Sequence, residues 1–148
     1  MPLPLEYHSD GKYNYSTALM FSYINIFKPK KVKLDIKKLS FNLYYECWEN
    51  NVRPIDVMND IKNKKYEDEV KRIKKSDTKF PIIIDTNNNI IYGFHLYIKY
   101  ILNKKKTINV IMFDEKMMKK FIISKYNEKK ECQICNIIEL FIKRFIKL

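Results

Sequence analysis

The sequence predicts an α+β protein. Residues 80–114 read FPIIIDTNNNIIYGFHLYIKYILNKKKTINVIMFD, which is strand, Asn-rich turn, strand, helix and strand in succession. The end of the chain reads as one amphipathic helix. At 148 residues, one domain with small extensions is expected.

The elements follow in order. Residues 1–30 open with Pro2 and Pro4, and 13–27 are rich in aromatics without a clean period; they read as an extension that packs on the core. Residues 30–36 alternate lysine or aspartate with Val32, Leu34 and Ile36, the period-two pattern of a half-exposed strand. Residues 41–48 are aromatic and read as a core-facing helix or loop. Pro54 suits a first helical turn, and Ile55, Val57, Met58 and Ile61 make a short helix after it. Tyr66, Val70 and Ile73 mark a second.

A buried strand is then expected over 81–85, and Asp85 suits an Asx-type turn into a short strand over 90–92. Gly93 permits close approach of backbone or ligand. The helix over 93–103 points its free N–H groups above that turn, a natural anion site. A strand over 108–113 follows, and Asp114 suits the N-cap of a helix over 115–124, with Glu115 favourable in its first turn. Over 129–148, Ile134, Ile137, Ile138, Phe141, Ile142, Phe145 and Ile146 recur at helical spacing, with Lys143, Arg144 and Lys147 near the C-terminus.

Composition sets bounds. The chain is 46% hydrophobic, enough for a core, and no apolar run approaches the eighteen or so residues that a membrane span needs. The first residues lack a basic start followed by an apolar stretch, so no signal peptide is expected. Three cysteines without dense spacing suit a reducing, intracellular compartment. The net charge is +12, and only Arg53, Arg72 and Arg144 among 29 basic residues are arginine. Abundant Lys, Asn, Ile and Tyr is what an AT-rich genome encodes, yet the positive field attracts polyanions whatever its origin.

The junction Tyr92, Gly93, Phe94, His95, Leu96, Tyr97, Ile98, Lys99 resembles the I-x-D-G-x-H-R-L-x-K/A pattern of the ParB/sulfiredoxin-like superfamily. The opening strand KVKLDIKKL, the helix start RPIDVM and the stretch RIKKSDTKFPIII are also similar to that family, so the resemblance covers roughly 31–123. It implies a small mixed sheet with helices packed around it. The added parts would be an N-terminal extension over 1–30 and a C-terminal amphipathic helix over 124–148.

The departures bear on chemistry. Tyr92 stands where the family has an acid and Leu96 where it has an arginine, the planar phosphate ligand. Phe94 takes the place of the sulfiredoxin cysteine, which excludes sulfinic-acid reduction of that type.

Several residues are candidates for a site. Gly93, His95 and Lys99 could hold a phosphate or nucleotide, since His95 and Lys99 are i and i+4 on one helix; the plainer reading of His95 is a structural histidine bonded near the turn. Lys104, Lys105 and Lys106, with a second lysine cluster over 28–38, could track a phosphate backbone. Tyr92, Phe94, Tyr97 and Tyr100 would support base stacking only if they face solvent. Cys132 and Cys135 form a CxxC pair that could be half a metal site or a redox pair, but the other possible ligands, Cys47, His8 and His95, are all distant in sequence, so no metal is expected and both read as small hydrophobes. Gly11 and Gly93 are the only glycines, which excludes a Gly-rich phosphate loop. Asp77 and Asp85 flank the first core strand and are weak as paired acids.

The leading expectation is a catalytically degraded ParB-like protein that binds nucleic acid without sequence preference or serves as a structural subunit. It would need no cofactor. AT-rich usage with such a core suggests a large DNA virus, with the protein in host cytoplasm, host nucleus or virion. Two alternatives stand: a nucleotide hydrolase or nuclease using His95 and Lys99, and a protein–protein module that docks or self-associates through the C-terminal helix.

Overall fold

The computed structural model describes residues 7–126 and 134–146. In chain order it contains β1 (Tyr7–Ser9), β2 (Tyr13–Ser16), α1 (Thr17–Phe27), β3 (Val32–Asp35), a 3₁₀ helix (Ile36–Tyr44), α2 (Pro54–Asn59), α3 (Glu67–Lys75), β4 (Ile82–Asp85), β5 (Ile90–Tyr92), α4 (Phe94–Leu102), β6 (Thr107–Phe113), α5 (Glu115–Lys119), β7 (Ile122–Lys125) and α6 (Ile134–Phe145). The fold is α+β. Its strands form two sheets, ordered β1-β2-β7 and β3-β6-β4-β5, rather than the one small sheet that the sequence suggested.

The chain divides into two compact units. Lys31–Met112 form one, and the residues up to Lys30 with those from Phe113 onward form the other. Residues 113–123, which the resemblance assigned to the core, group with the terminal segments.

In the Lys31–Met112 unit, β3 pairs antiparallel with β6, setting Lys33 opposite Asn109 and Asp35 opposite Thr107. The strand β4 lies between β6 and β5, and Ile82, Ile83 and Ile84 are all buried, as an interior strand requires. The β4–β5 turn is built by Asp85, whose Oδ1 accepts from the amides of Asn87 at 2.8 Å and Asn89 at 2.9 Å. Helix α4 buries Leu96, Tyr97 and Ile98 against Ile82, Ile84, Ile108 and Val110.

The 3₁₀ helix corrects the reading of 41–48. At three residues per turn, side chains at i, i+3 and i+6 share a row. Ile36, Leu39 and Asn42 form the buried row. Lys38, Phe41 and Tyr44 form an exposed one. Phe41, Tyr44 and Tyr45, expected in the core, therefore face solvent, whereas Trp48 is partly buried against the core. Asp35 caps the helix, its Oδ1 accepting from the Lys37 amide at 2.9 Å.

In the other unit, β2 pairs antiparallel with both β1 and β7. Residues 13–27 showed no period because the start of α1 is buried all round, from Thr17 to Phe21. Asp114 caps α5 as expected, accepting from the Met117 amide at 2.8 Å. The helix stops at Lys119, however, and the β-branched pair Ile122 and Ile123 enters β7 instead of extending it to residue 124. Helix α6 folds onto α1, with ring centroids 5.3 Å apart for Tyr23 and Phe145 and 6.3 Å for Phe27 and Phe141. Ile137 and Phe141 are buried there, whereas Ile138 and Ile142 remain exposed, so only part of the apolar stripe is used. The Cys132–Cys135 pair reaches outside the described residues.

Candidate nucleic-acid interface

The strand-to-helix junction is built tightly. Gly93 has φ 110°, and a Cβ there would lie 3.0 Å from Cγ1 and 3.3 Å from Cα of Ile82. The glycine thus serves the contact between α4 and β4 as well as the turn. The two side chains expected to hold a phosphate both turn to α3. His95 Nε2 meets Glu69 Oε2 at 2.5 Å, and the His95 ring stacks on Trp48 with centroids 4.8 Å apart and planes 15° apart. Lys99 Nζ donates to the carbonyls of Lys74 at 3.1 Å and Ser76 at 2.8 Å, capping the C-terminal end of α3.

His95 and Lys99 do share a face of α4, as their spacing required, but that face is spent on fixing α4 to α3. One imidazole nitrogen and one ammonium donor direction are left for anything else.

The other expected residues divide. Tyr97 is fully buried, its hydroxyl donating to the Ile36 carbonyl at 2.7 Å, and burial pushes its pKa up to about 12. Tyr92, Phe94 and Tyr100 are half-buried. Tyr97 is therefore closed to base stacking, and the other three expose only part of their rings. Asp77 and Asp85 accept backbone amides in turns, Asp77 Oδ1 from Lys79 at 2.8 Å. Among the described residues, no group of three or more His, Cys, Asp or Glu could hold a metal ion, and no helix is long and apolar enough to cross a membrane.

The lysines come together. Lys104 adopts φ 58° after α4, and the amides of Lys104 and Lys105 return to the carbonyls of Ile101 at 2.9 Å and Tyr100 at 3.0 Å. This closes the helix with a left-handed residue. The Lys106 carbonyl then accepts from the Ile36 amide, just beyond β3, at 3.0 Å. Residues next to Ile36 are Lys37 and Lys38, so two groups distant in sequence meet at one end of the β3–β6 ladder.

All five of Lys37, Lys38, Lys104, Lys105 and Lys106 are exposed. Lys31 and Lys33 continue the charge along β3. Segments 31–38 and 104–109 together hold seven lysines against the single acid Asp35. Ion pairs among the described residues join Arg53 to Asp56, Lys71 to Glu67 and His95 to Glu69, and none draws on these lysines. The unit as a whole is less one-sided, with seventeen Lys or Arg and ten Asp or Glu over 31–112, so the β3–β6 end concentrates the positive field.

Three aromatic residues of the 3₁₀ segment that carries Lys37 and Lys38 were not singled out as site residues from sequence. Phe41 is 39% exposed, Tyr44 60% and Tyr45 45%. Their segment is pinned from below by Asn42, whose Nδ2 donates to the carbonyls of Leu39 and Asn88 at 2.9 Å each, while its Oδ1 accepts from the Ile90 amide at 2.9 Å. Tyr45 adds a bond from its hydroxyl to Asn89 Oδ1 at 3.1 Å. The signal was present as a polar Asn42 in phase with Ile36 and Leu39, a period of three rather than 3.6.

Comparisons with family models, curated proteins and solved structures give no match for this chain.

Proposed function

We propose that this chain is a catalytically degraded ParB-like protein that binds nucleic acid without sequence preference, contacting phosphates through Lys37, Lys38, Lys104, Lys105 and Lys106. The observation that carries the reading is the 3.0 Å bond between the Ile36 amide and the Lys106 carbonyl, which joins the two exposed lysine groups. Lysine is a point charge rather than a planar fork, so such a surface meets the phosphate backbone and leaves base edges unread. The commitment of His95 and Lys99 to α3 favours binding over hydrolysis. Burial of Ile137 and Phe141 in their own unit favours it over docking through α6.

Fluorescence anisotropy with a labelled random-sequence oligonucleotide tests the proposal. Affinity is expected to fall steeply between about 50 and 200 mM salt, and each lysine lost should reduce the log–log slope by about 0.7–0.9. A triple variant carrying Lys104→Gln, Lys105→Gln and Lys106→Gln should therefore lose about two units of slope if all three make contact. Affinity that does not respond to salt overturns the reading. Nucleoside triphosphates or plasmid DNA, with or without divalent metal, are expected to give no turnover. Turnover abolished by His95→Ala would restore the enzyme alternative.

A further inference from the structure

The exposed row of the 3₁₀ helix deepens this reading and rests on it. Lys38, Phe41 and Tyr44 stand at i, i+3 and i+6, one above the next along the helix, at a spacing of about 6 Å per turn. A cation and two aromatic rings thus follow each other in line on the solvent side. Lys37 lies beside Lys38, and Lys106 is bonded to the residue preceding Lys37.

Tyr44 is 60% exposed, and Phe41, with no polar atom to satisfy in water, is 39% exposed. The platform beneath them is rigid, since buried Asn42 makes three bonds to the backbone, one to Asn88 in the β4–β5 turn and one to Ile90 at the start of β5. Phe41 and Tyr45 also brace each other edge to face, their centroids 5.9 Å apart. The rings are therefore held ready at little ordering cost on binding.

We infer that the nucleic acid is single-stranded, its bases stacking on Phe41 and Tyr44 while its phosphates run along Lys37, Lys38, Lys104, Lys105 and Lys106. Duplex DNA hides the faces of its bases in a stack with about one charge per 1.7 Å, and offers such rings only its backbone and groove edges. A single strand can splay its bases onto the rings and keep its phosphates on the lysines, the combination used by sequence-tolerant single-strand binders. Every base has a π-face, so stacking preserves indifference to sequence.

The test compares one labelled single strand with its own duplex, using the full chain and the variants Phe41→Ala, Tyr44→Ala and Tyr44→Phe. The single strand is expected to bind more tightly. Each alanine should weaken single-strand binding by roughly 5- to 100-fold with little change of salt slope, and leave duplex binding where it was. Tyr44→Phe should keep full affinity, because the ring and not the hydroxyl stacks. Both side chains are exposed, and unchanged melts of the variants will show that the fold is kept. Equal affinity for strand and duplex, or alanine variants that bind the single strand like the parent, overturns the inference while the lysine surface stands. Failure of both forms to bind at low salt overturns the polyanion reading and this inference with it.

Discussion

Asn42→Ala should be among the most damaging single changes in the Lys31–Met112 unit. The side chain is fully buried and makes three hydrogen bonds at 2.9 Å, to Leu39, Asn88 and Ile90. Its loss leaves the Ile90 amide without this acceptor in the interior, at a cost of about 1–3 kcal/mol. The two carbonyls each retain a second lone pair, so together they add about 1 kcal/mol rather than a full penalty each. The expected loss is about 3 kcal/mol, or a fall of about 10 °C in melting temperature for a chain of this size. Urea titrations followed by circular dichroism, with Tyr44→Ala as an exposed neighbour, provide the comparison. Tyr44→Ala should stay within about 0.5 kcal/mol of the parent. An Asn42→Ala loss of the same small size would refute the claim that this residue anchors the 3₁₀ helix.

Two further changes probe the junction and the core beneath it. Gly93→Ala combines a positive φ with a Cβ 3.0 Å from Ile82, whereas Gly11→Ala, at φ 88°, meets nothing within 4 Å. The first should cost about 2–4 kcal/mol and the second about 1 kcal/mol in denaturant titrations; equal costs would mean that the Ile82 contact is irrelevant. Burial, with a smaller contribution from Asp35, raises Tyr97 from 10.0 to about 12. Its folded-state pKa lies above the unfolded one, so its contribution is complete below pH 10 and is lost as pH rises towards 12. Tyr97→Phe should make that alkaline loss shallower, while costing about 1 kcal/mol at neutral pH because the Ile36 carbonyl loses its donor. An alkaline profile identical to the parent's would contradict the assignment.

The sequence was most legible where a local rule dominates. The run from β4 to β6 follows from an apolar run, an aspartate that builds its own turn, a glycine at positive φ and an alternating strand. Asp114 announced α5 through its short side chain. Phe41 and Tyr44 were misjudged because hydrophobic character was weighed without the period of three that sends them outward. Ile122–Lys125 is strand because the β-branched Ile122 and Ile123 suit one and β2 supplies the partner, and that pairing is a long-range fact. For His95 and Lys99 the spacing gave the shared face correctly, but nothing local says that Glu69, Trp48 and the end of α3 lie opposite. The meeting of the two lysine groups was hidden for the same reason, since it depends on the register of β3 against β6.

Chemical-shift mapping of isotope-labelled protein with a single-stranded oligonucleotide tests most directly whether these lysines form one binding surface. At low salt the amides of Lys37, Lys38, Phe41, Tyr44, Lys104, Lys105, Lys106 and Thr107 should shift together along one titration curve, and return as salt is added. A saturable oligonucleotide titration that leaves these amides unmoved, with the shifts gathered on another surface, would contradict the assignment.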